Sequence, residues 1–487
     1  MSLLPGKYHL SKAFLFVLLF LISVFISHDG ICADFVVDAA TFYSDSIKSD
    51  ITGTYSAGAT QVSVANGAVF TAGQDVLLFN TAGTYIGQYE TNVISSVSSN
   101  TLTLQNPLSR SYTADAQVIA FTEYDSVQVI NTGTITCSGW NNNLGGVVYI
   151  KAGALLVDAT STITASSKGY LNKTGPGAGS TTGSSYGGGG GGAYGGDGSN
   201  GNYSSGGAGY GSVTNPVNMG SGGGDSTYNY SYPGAYGGGI VLLDIAGTLT
   251  IFGSIRSDGA SATGGGYHSQ CGGGGAGGTV NITAGTIEGS GVISADGGNR
   301  SSTYNGGAGG GGRIAVNCTA YNYAGTYSSA GGDGYGGYGG AGTIFLNNNG
   351  ERTLTIHNNT SAGRDLTNIT SAIPSDIEHY VVYNANVQLA SGAVVTGDVT
   401  LNGNLVFYNN ASITPSLFTV TGSSNQIYNN STGYILFASF NYANTYFKND
   451  GHITIQDKHL QVPSGTTFVL THPLTDSDYD LTVKNGG

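Results

Sequence analysis

Charged side chains are scarce, with 28 Asp+Glu and 15 Lys+Arg in 487 residues, so each candidate for catalysis can be weighed singly. Cleaving a polysaccharide takes two convergent carboxylates, or a carboxylate with Arg or Lys, along one groove. Asp258 and Asp296 hold matching places in Ser257-Asp258-Gly259 and Ala295-Asp296-Gly297, with Arg256 and Arg313 on neighbouring strands. Stacked one coil apart they could form such a site. The competing reading is that Asp before Gly bonds its own local backbone in a turn. His268, His357, His379, His452, His459 and His472 show no metal-ligand spacing. Calcium has two weak candidates, Gly195-Gly196-Asp197-Gly198 and Gly331-Gly332-Asp333-Gly334. Neither completes the tandem Gly-Gly-x-Gly-x-Asp repeat that binds Ca2+, so Ca2+ stays open as a ligand and no other cofactor is expected. There is no Gly-x-Ser-x-Gly elbow and no phosphate loop ending in Lys-Ser or Lys-Thr. No residue is assigned a catalytic role.

Tyrosine is the residue type in excess, 32 in number. Tyr186, Tyr194, Tyr203, Tyr210, Tyr228, Tyr230, Tyr232 and Tyr236 lie in or beside one glycine tract running from Lys168 to Gly238, and Tyr267, Tyr335 and Tyr338 flank later tracts. A Tyr ring offers an amphipathic contact face at low entropy cost, and Gly/Ser/Tyr mixtures suit binding loops. The alternative is that the rings pack over glycine backbone. The first eight are taken as the expected ligand-contacting set.

These side chains need a scaffold, and an internal repeat supplies one. Glycine precedes a strand in Gly146-Val147-Val148-Tyr149-Ile150, Gly239-Ile240-Val241-Leu242-Leu243, Gly278-Thr279-Val280-Asn281-Ile282, Gly312-Arg313-Ile314-Ala315-Val316 and Gly342-Thr343-Ile344-Phe345-Leu346. A second short strand follows in three copies and carries Ile255, Ile293 and Tyr327. Two short strands cannot bury an apolar face alone, but stacked copies create a continuous core. The spacing predicts a ladder of Val148, Val241, Val280, Ile314 and Ile344, and a second inward ladder of Ile150, Leu243, Ile282, Val316 and Leu346 two residues on. The fold class expected is all-β, a parallel β-solenoid (β-helix) with glycine-rich insertions, preceded by a small β barrel or sandwich. The glycine tracts read either as flexible loops or as ordered polyproline-II-like segments that hydrogen-bond to one another.

Four segments follow from this pattern. Residues 1–33 read as a signal peptide: Lys7 and Lys12, an apolar run from Ala13 to Ile26, and Ala33 before Asp34. Residues 34–125 read as a small β domain, with alternation at Val62/Val64 and Leu102/Leu104. Residues 126–363 are the glycine-rich solenoid. Residues 364–487, with short strands and Asn-rich turns at Asn409-Asn410 and Asn429-Asn430, read as an irregular continuation of it, with truncation left open. Almost no helix is expected after residue 34, and no membrane span in the mature chain. Three cysteines remain after the signal, so one disulfide or none can form. Cys318 falls in alternation with Ile314 and Val316 and is expected to face a core.

The run from Val127 through Trp140-Asn141 to Gly145-Gly146-Val147-Val148-Tyr149-Ile150, together with Gly310-Gly311-Gly312-Arg313-Ile314-Ala315-Val316, resembles glycine-rich, adhesin-like bacterial surface proteins. The resemblance covers about 126–350. It departs from them at Gly169-Tyr170-Leu171-Asn172, where relatives carry Gly-Phe-Arg-Gly-Gly. It implies a right-handed parallel β-helix and a secreted or cell-surface role, and it transfers no catalytic residue. A formal net charge of −13 repels phosphate backbones, so nucleic acid is not an expected partner. The expected partner is an extracellular glycan or a cell-surface protein. The alternative function is a carbohydrate-active enzyme, a lyase or glycoside hydrolase, on the same scaffold.

Overall fold

The computed structural model describes residues 34–228, 230–263, 270–301, 305–335, 337–358, 366–369, 376–391, 393–402, 405–415, 417–421, 425–437, 445–450, 452–455, 459–462, 466–470 and 480–483. The signal segment 1–33 and the tract residues Gly264 to Tyr267 lie outside the described residues. Among the described residues all regular structure is strand, apart from a single 3-10 turn at Gly67–Val69.

The two anticipated ladders are present. Val148, Val241, Val280, Ile314 and Ile344 pair in sequence across parallel strands, and so do Ile150, Leu243, Ile282, Val316 and Leu346. A second, facing row runs through Phe42, Ile135, Ile163, Ile255, Ile293 and Tyr327, again parallel and in register. Both rows meet in one apolar core that includes Cys137 and Cys318. Cys137, Cys271 and Cys318 are buried free thiols.

The domain order differs from the expected one at its start. Phe35–Asp38 pairs with Glu123–Ile130, and Thr41–Tyr43 pairs with Thr134–Thr136. Residues 35–43 are therefore the first coil of the stack, and the small β domain is inserted after them rather than placed before it. Its six antiparallel strands, from Lys48–Asp50 to Ala116–Phe121, form one sheet, and the bridge Ile51↔Val64 joins its two edge strands into a barrel. The barrel sits on the outer face of the stack. Leu77, Phe79 and Ile119 pack there against Val147, Tyr149, Ile240 and Leu242. This accounts for two strands that are apolar on both faces, whereas the next copy, Thr279-Val280-Asn281-Ile282, alternates.

The glycine tracts are ordered and buried, not loops. In segment 187–194 successive amides reach three different neighbours in rotation. Gly189 and Gly192 donate to Cys271 and Gly274, Gly190 and Ala193 to Ser180 and Gly177, Gly188 and Gly191 to Asn202 and Ser199. The three-residue period is that of a polyproline-II helix, which has no internal hydrogen bonds and must find partners outside. Its carbonyls accept from Gly207, Gly224, Gly307 and Gly310, so the segment has six neighbours. Segments 271–278 and 305–312 are surrounded in the same way. Only glycine allows such an approach, because a Cβ on Gly189, Gly190 or Gly191 would fall within the carbonyl of Gly224, Ser205 or Ala308.

After Thr343–Asn348 the chain reverses through Asn349-Gly350, both at positive φ, and Glu351–His357 pairs antiparallel with the strand just left. This is a two-residue hairpin of the kind Asn-Gly favours. Beyond it the chain makes a second parallel stack, more regular than the sequence suggests. Asn409 Nδ2 donates to Asn429 Oδ1 at 2.8 Å and Asn429 Nδ2 to Asn449 Oδ1 at 2.6 Å, each step being 20 residues. These side chains are buried, so the Asn-rich "turns" are an internal amide ladder.

Three substitutions test this packing. Gly191→Ala should cost about 2–3 kcal/mol or more, since the blocking atoms are backbone. Gly139→Ala, with open space around it, should stay within ~0.5 kcal/mol of wild type. Asn429→Ala, which strips a bond from both ladder neighbours, should cost roughly 2 kcal/mol. Denaturant unfolding of the three variants measures all of them.

Candidate functional site

Asp258 and Asp296 do stack one coil apart, but one oxygen of each is engaged by the next coil. Asp258 Oδ1 accepts the Asp296 amide at 2.9 Å, and Asp296 Oδ1 accepts the Ala330 amide at 2.7 Å and the Ser328 hydroxyl at 2.5 Å. Arg256 approaches Asp258 at 3.6 Å. Arg313 is elsewhere, buried where the glycine body joins the sheet. Its Nε and Nη2 donate to the Tyr210 carbonyl and its Nη1 to Thr343 Oγ1, and its guanidinium lies 5.5 Å from the Tyr194 ring centroid. The aspartates thus hold turns together rather than facing a groove with both arginines. Asp197, from one calcium candidate, accepts the Gly209 amide. Among the described residues no three His, Cys, Asp or Glu gather around a point.

The eight expected tyrosines separate by depth. Tyr194 is 0% exposed, with its hydroxyl 2.8 Å from Thr279 Oγ1. Tyr210 donates to the Met219 carbonyl at 2.5 Å, and its ring lies 4.9 Å from that of Tyr194. Burial pushes both phenols above their ordinary range. Both lie at the seam: Tyr194 is sealed from solvent and presents no contact face to a ligand, whereas Tyr210 is half-buried with its hydroxyl bonded inside. Tyr232 is half-buried and its backbone pairs with Ser226. Tyr236 is exposed on the flank of the body.

The remaining four stand at the far end. An eight-residue polyproline-II segment extends about 25 Å, so the turns between segments project to the end opposite the strands. Tyr186 is 52% exposed, Tyr203 70%, Tyr230 61%, and Tyr228 is also exposed. Tyr335, from a later tract and outside the expected set, joins them at 51%. Side-chain amides knit this tip. Asn202 Nδ2 and Asn305 Nδ2 both donate to the Tyr186 carbonyl, at 2.8 and 2.5 Å, and the Tyr335 amide donates to the Gly306 carbonyl at 2.9 Å. Thr227, beside Tyr228, donates its amide to Thr182 at 2.8 Å. Tyr186 and Tyr203 hold φ of 62° and 61°, a left-handed conformation that costs a bulky residue ~1–2 kcal/mol. Both occupy tight turns beside Gly187 and Gly201, which is the signal the sequence offered.

Burial first, and the Asp258 carboxylate after it, raise the Asp296 carboxyl above its ordinary value. A raised carboxyl adds stability that is full below the unfolded value, about pH 4, and is lost as pH rises through the folded one. Asp296→Asn keeps an acceptor oxygen and removes the charge. Its melting temperature should therefore fall less than that of wild type between pH 4 and pH 7, as read by parallel thermal scans.

No family model matches this chain, and no curated protein matches it. Among solved structures, the tailspike gp61 of Pseudomonas phage phi297 aligns over 93% of this chain and 71% of its own, at 11% identity and TM-score 0.24. The tailspike Gp54 of Acinetobacter baumannii bacteriophage AP22, solved in complex with A. baumannii capsular saccharide, aligns over 93% and 66%, at 8% identity and TM-score 0.20. The tailspike gp49 of Pseudomonas phage LKA1 aligns over 92% and 67%, at 11% and 0.22.

Proposed function

We propose that this chain is a secreted or cell-surface, non-catalytic, adhesin-like protein that binds extracellular glycans through a tyrosine tip. In this reading a parallel β-solenoid serves as the stalk. The glycine body is a rigid extension of it, and Tyr186, Tyr203, Tyr228, Tyr230 and Tyr335 are the contact face. The observation that carries the reading is the left-handed backbone at exposed Tyr186 and Tyr203. Gly or Asn would hold those turns more cheaply, so Tyr at these positions points to use of its side chain. Ring faces stack on sugars and the hydroxyls bond to them, while the buried glycine lattice keeps the tip from collapsing.

The test is a glycan array probed with the labelled full chain, beside a reducing-sugar assay on the same glycans. Wild type should bind without releasing sugar. Tyr203→Gly combined with Tyr230→Ser should weaken binding by tenfold or more. Tyr203→Gly alone should match or exceed wild-type stability, by up to about 1 kcal/mol, because the left-handed strain is relieved. Undiminished binding in the double variant would remove the tip from the mechanism, and sugar release would move the protein to the enzymes.

A further inference from the structure

A second site lies where the barrel meets the stack. The barrel strand Tyr89–Ser98 stops short of covering the sheet and leaves a groove of about 320 Å3, within the ~300–1,000 Å3 of small-molecule sites. Its walls and floor carry Tyr89, Glu90, Tyr149, Asp244, Asn281 and Thr283. Several of these are fixed by bonds made away from the groove. Glu90 Oε2 accepts the amide and the hydroxyl of Ser109, which positions the carboxylate. Asn281 Nδ2 donates to Asn215 Oδ1 at 3.0 Å and to the Pro216 carbonyl at 3.1 Å. Tyr89 stacks on Phe79 with centroids 5.5 Å apart. Thr283 and Asp244 are exposed. Lys151, in register beside Asp244, makes its ion pair with Glu123 at 2.7 Å; it bears on Asp244 only through its charge, and the exposed Asp244 carboxylate is not engaged in that ion pair.

The charge around the groove is acidic. Asp75, Glu90, Glu123 and Asp244 bear on it, against Lys151 and Arg110. Burial, and then the Asp244 charge, hold the Tyr89 and Tyr149 phenols protonated well into alkaline solution, so both can donate. Ring faces beside carboxylate, amide and hydroxyl groups form a surface for a polyhydroxylated ring, and an exposed carboxylate in an acidic surround favours a cation on that ring.

From this geometry we infer that the groove is a saccharide site separate from the tyrosine tip, selective for amine-bearing over acidic sugars, with Asp244 as the discriminating residue. The probes are a glucosamine hexasaccharide, a cellohexaose and a galacturonate hexasaccharide, titrated calorimetrically into the full chain. The glucosamine oligomer should bind tightest and the galacturonate oligomer weakest. Asp244→Asn should cost the glucosamine oligomer tenfold or more and bring it level with cellohexaose. Thr283→Trp, which fills the groove from an exposed position, should abolish binding of both. The same titrations repeated in the Tyr203→Gly/Tyr230→Ser background, where the tip is disabled, should keep the order of the three probes and its dependence on Asp244, which separates this site from the one proposed above. Equal or tighter binding of galacturonate, or an unchanged glucosamine isotherm in Asp244→Asn or Thr283→Trp, would overturn the inference, as would absence of binding to glucosamine and cellohexaose alike.

Discussion

The distance between paired parallel strands, about 4.8 Å, is the length on which the rest of this molecule depends. Segments 271–278 and 305–312 lead without interruption into Thr279–Gly289 and Arg313–Tyr323, which pair in register. Their separation is thus set before the glycines begin. At that spacing two backbones can bond directly only if neither bears a Cβ on the facing side. The glycines are the condition under which the strand lattice can continue beyond the strands, with the pairing changed from two neighbours to six.

Magnitudes show why this extension needs the stack. Ordering one residue costs about 1–2 kcal/mol, and glycine lies at the costly end. A net backbone hydrogen bond returns about 0.5–1.5 kcal/mol. A glycine lattice alone therefore comes out unfavourable, without apolar burial to offset it. The stack supplies that burial in its ladder core and presents the segments already aligned, so much of their ordering is shared with strands that fold anyway. The seam around Arg313 serves the same end. A buried guanidinium bonded to the Tyr210 carbonyl and lying over Tyr194 ties the returning chain at 210–217 to the sheet, and Val213 continues from there into the core of the second stack.

Burial on the outer face divides the labour along the sheet. Where the barrel covers it, side chains are apolar on both faces. One coil further on, Thr279 and Asn281 stand in place of Ile240 and Leu242. The barrel edge therefore leaves polar groups under a partial roof, and the groove arises from a mismatch in length between barrel and stack.

The sequence by itself determined the repeat, the residues of both ladders, the inward position of Cys318 and the near absence of helix. All of these follow from alternation at period two next to glycine, a local pattern. It also held the hairpin at Asn349-Gly350 and the 20-residue recurrence of Asn409, Asn429 and Asn449, although the latter reads as turns until the coils are stacked. Only the tertiary structure decided that residues 35–43 open the stack, because a four-residue strand such as Phe35–Asp38 acquires meaning from a partner some ninety residues away. Whether a glycine tract is loop or lattice was equally beyond composition, since the same residues serve both and the difference lies in how many neighbours accept their amides. Among the eight tyrosines of one tract, depth separated Tyr194 from Tyr203. That depth is fixed by where each falls between the strand end and the turn of its segment, a property of three-dimensional reach and not of residue type.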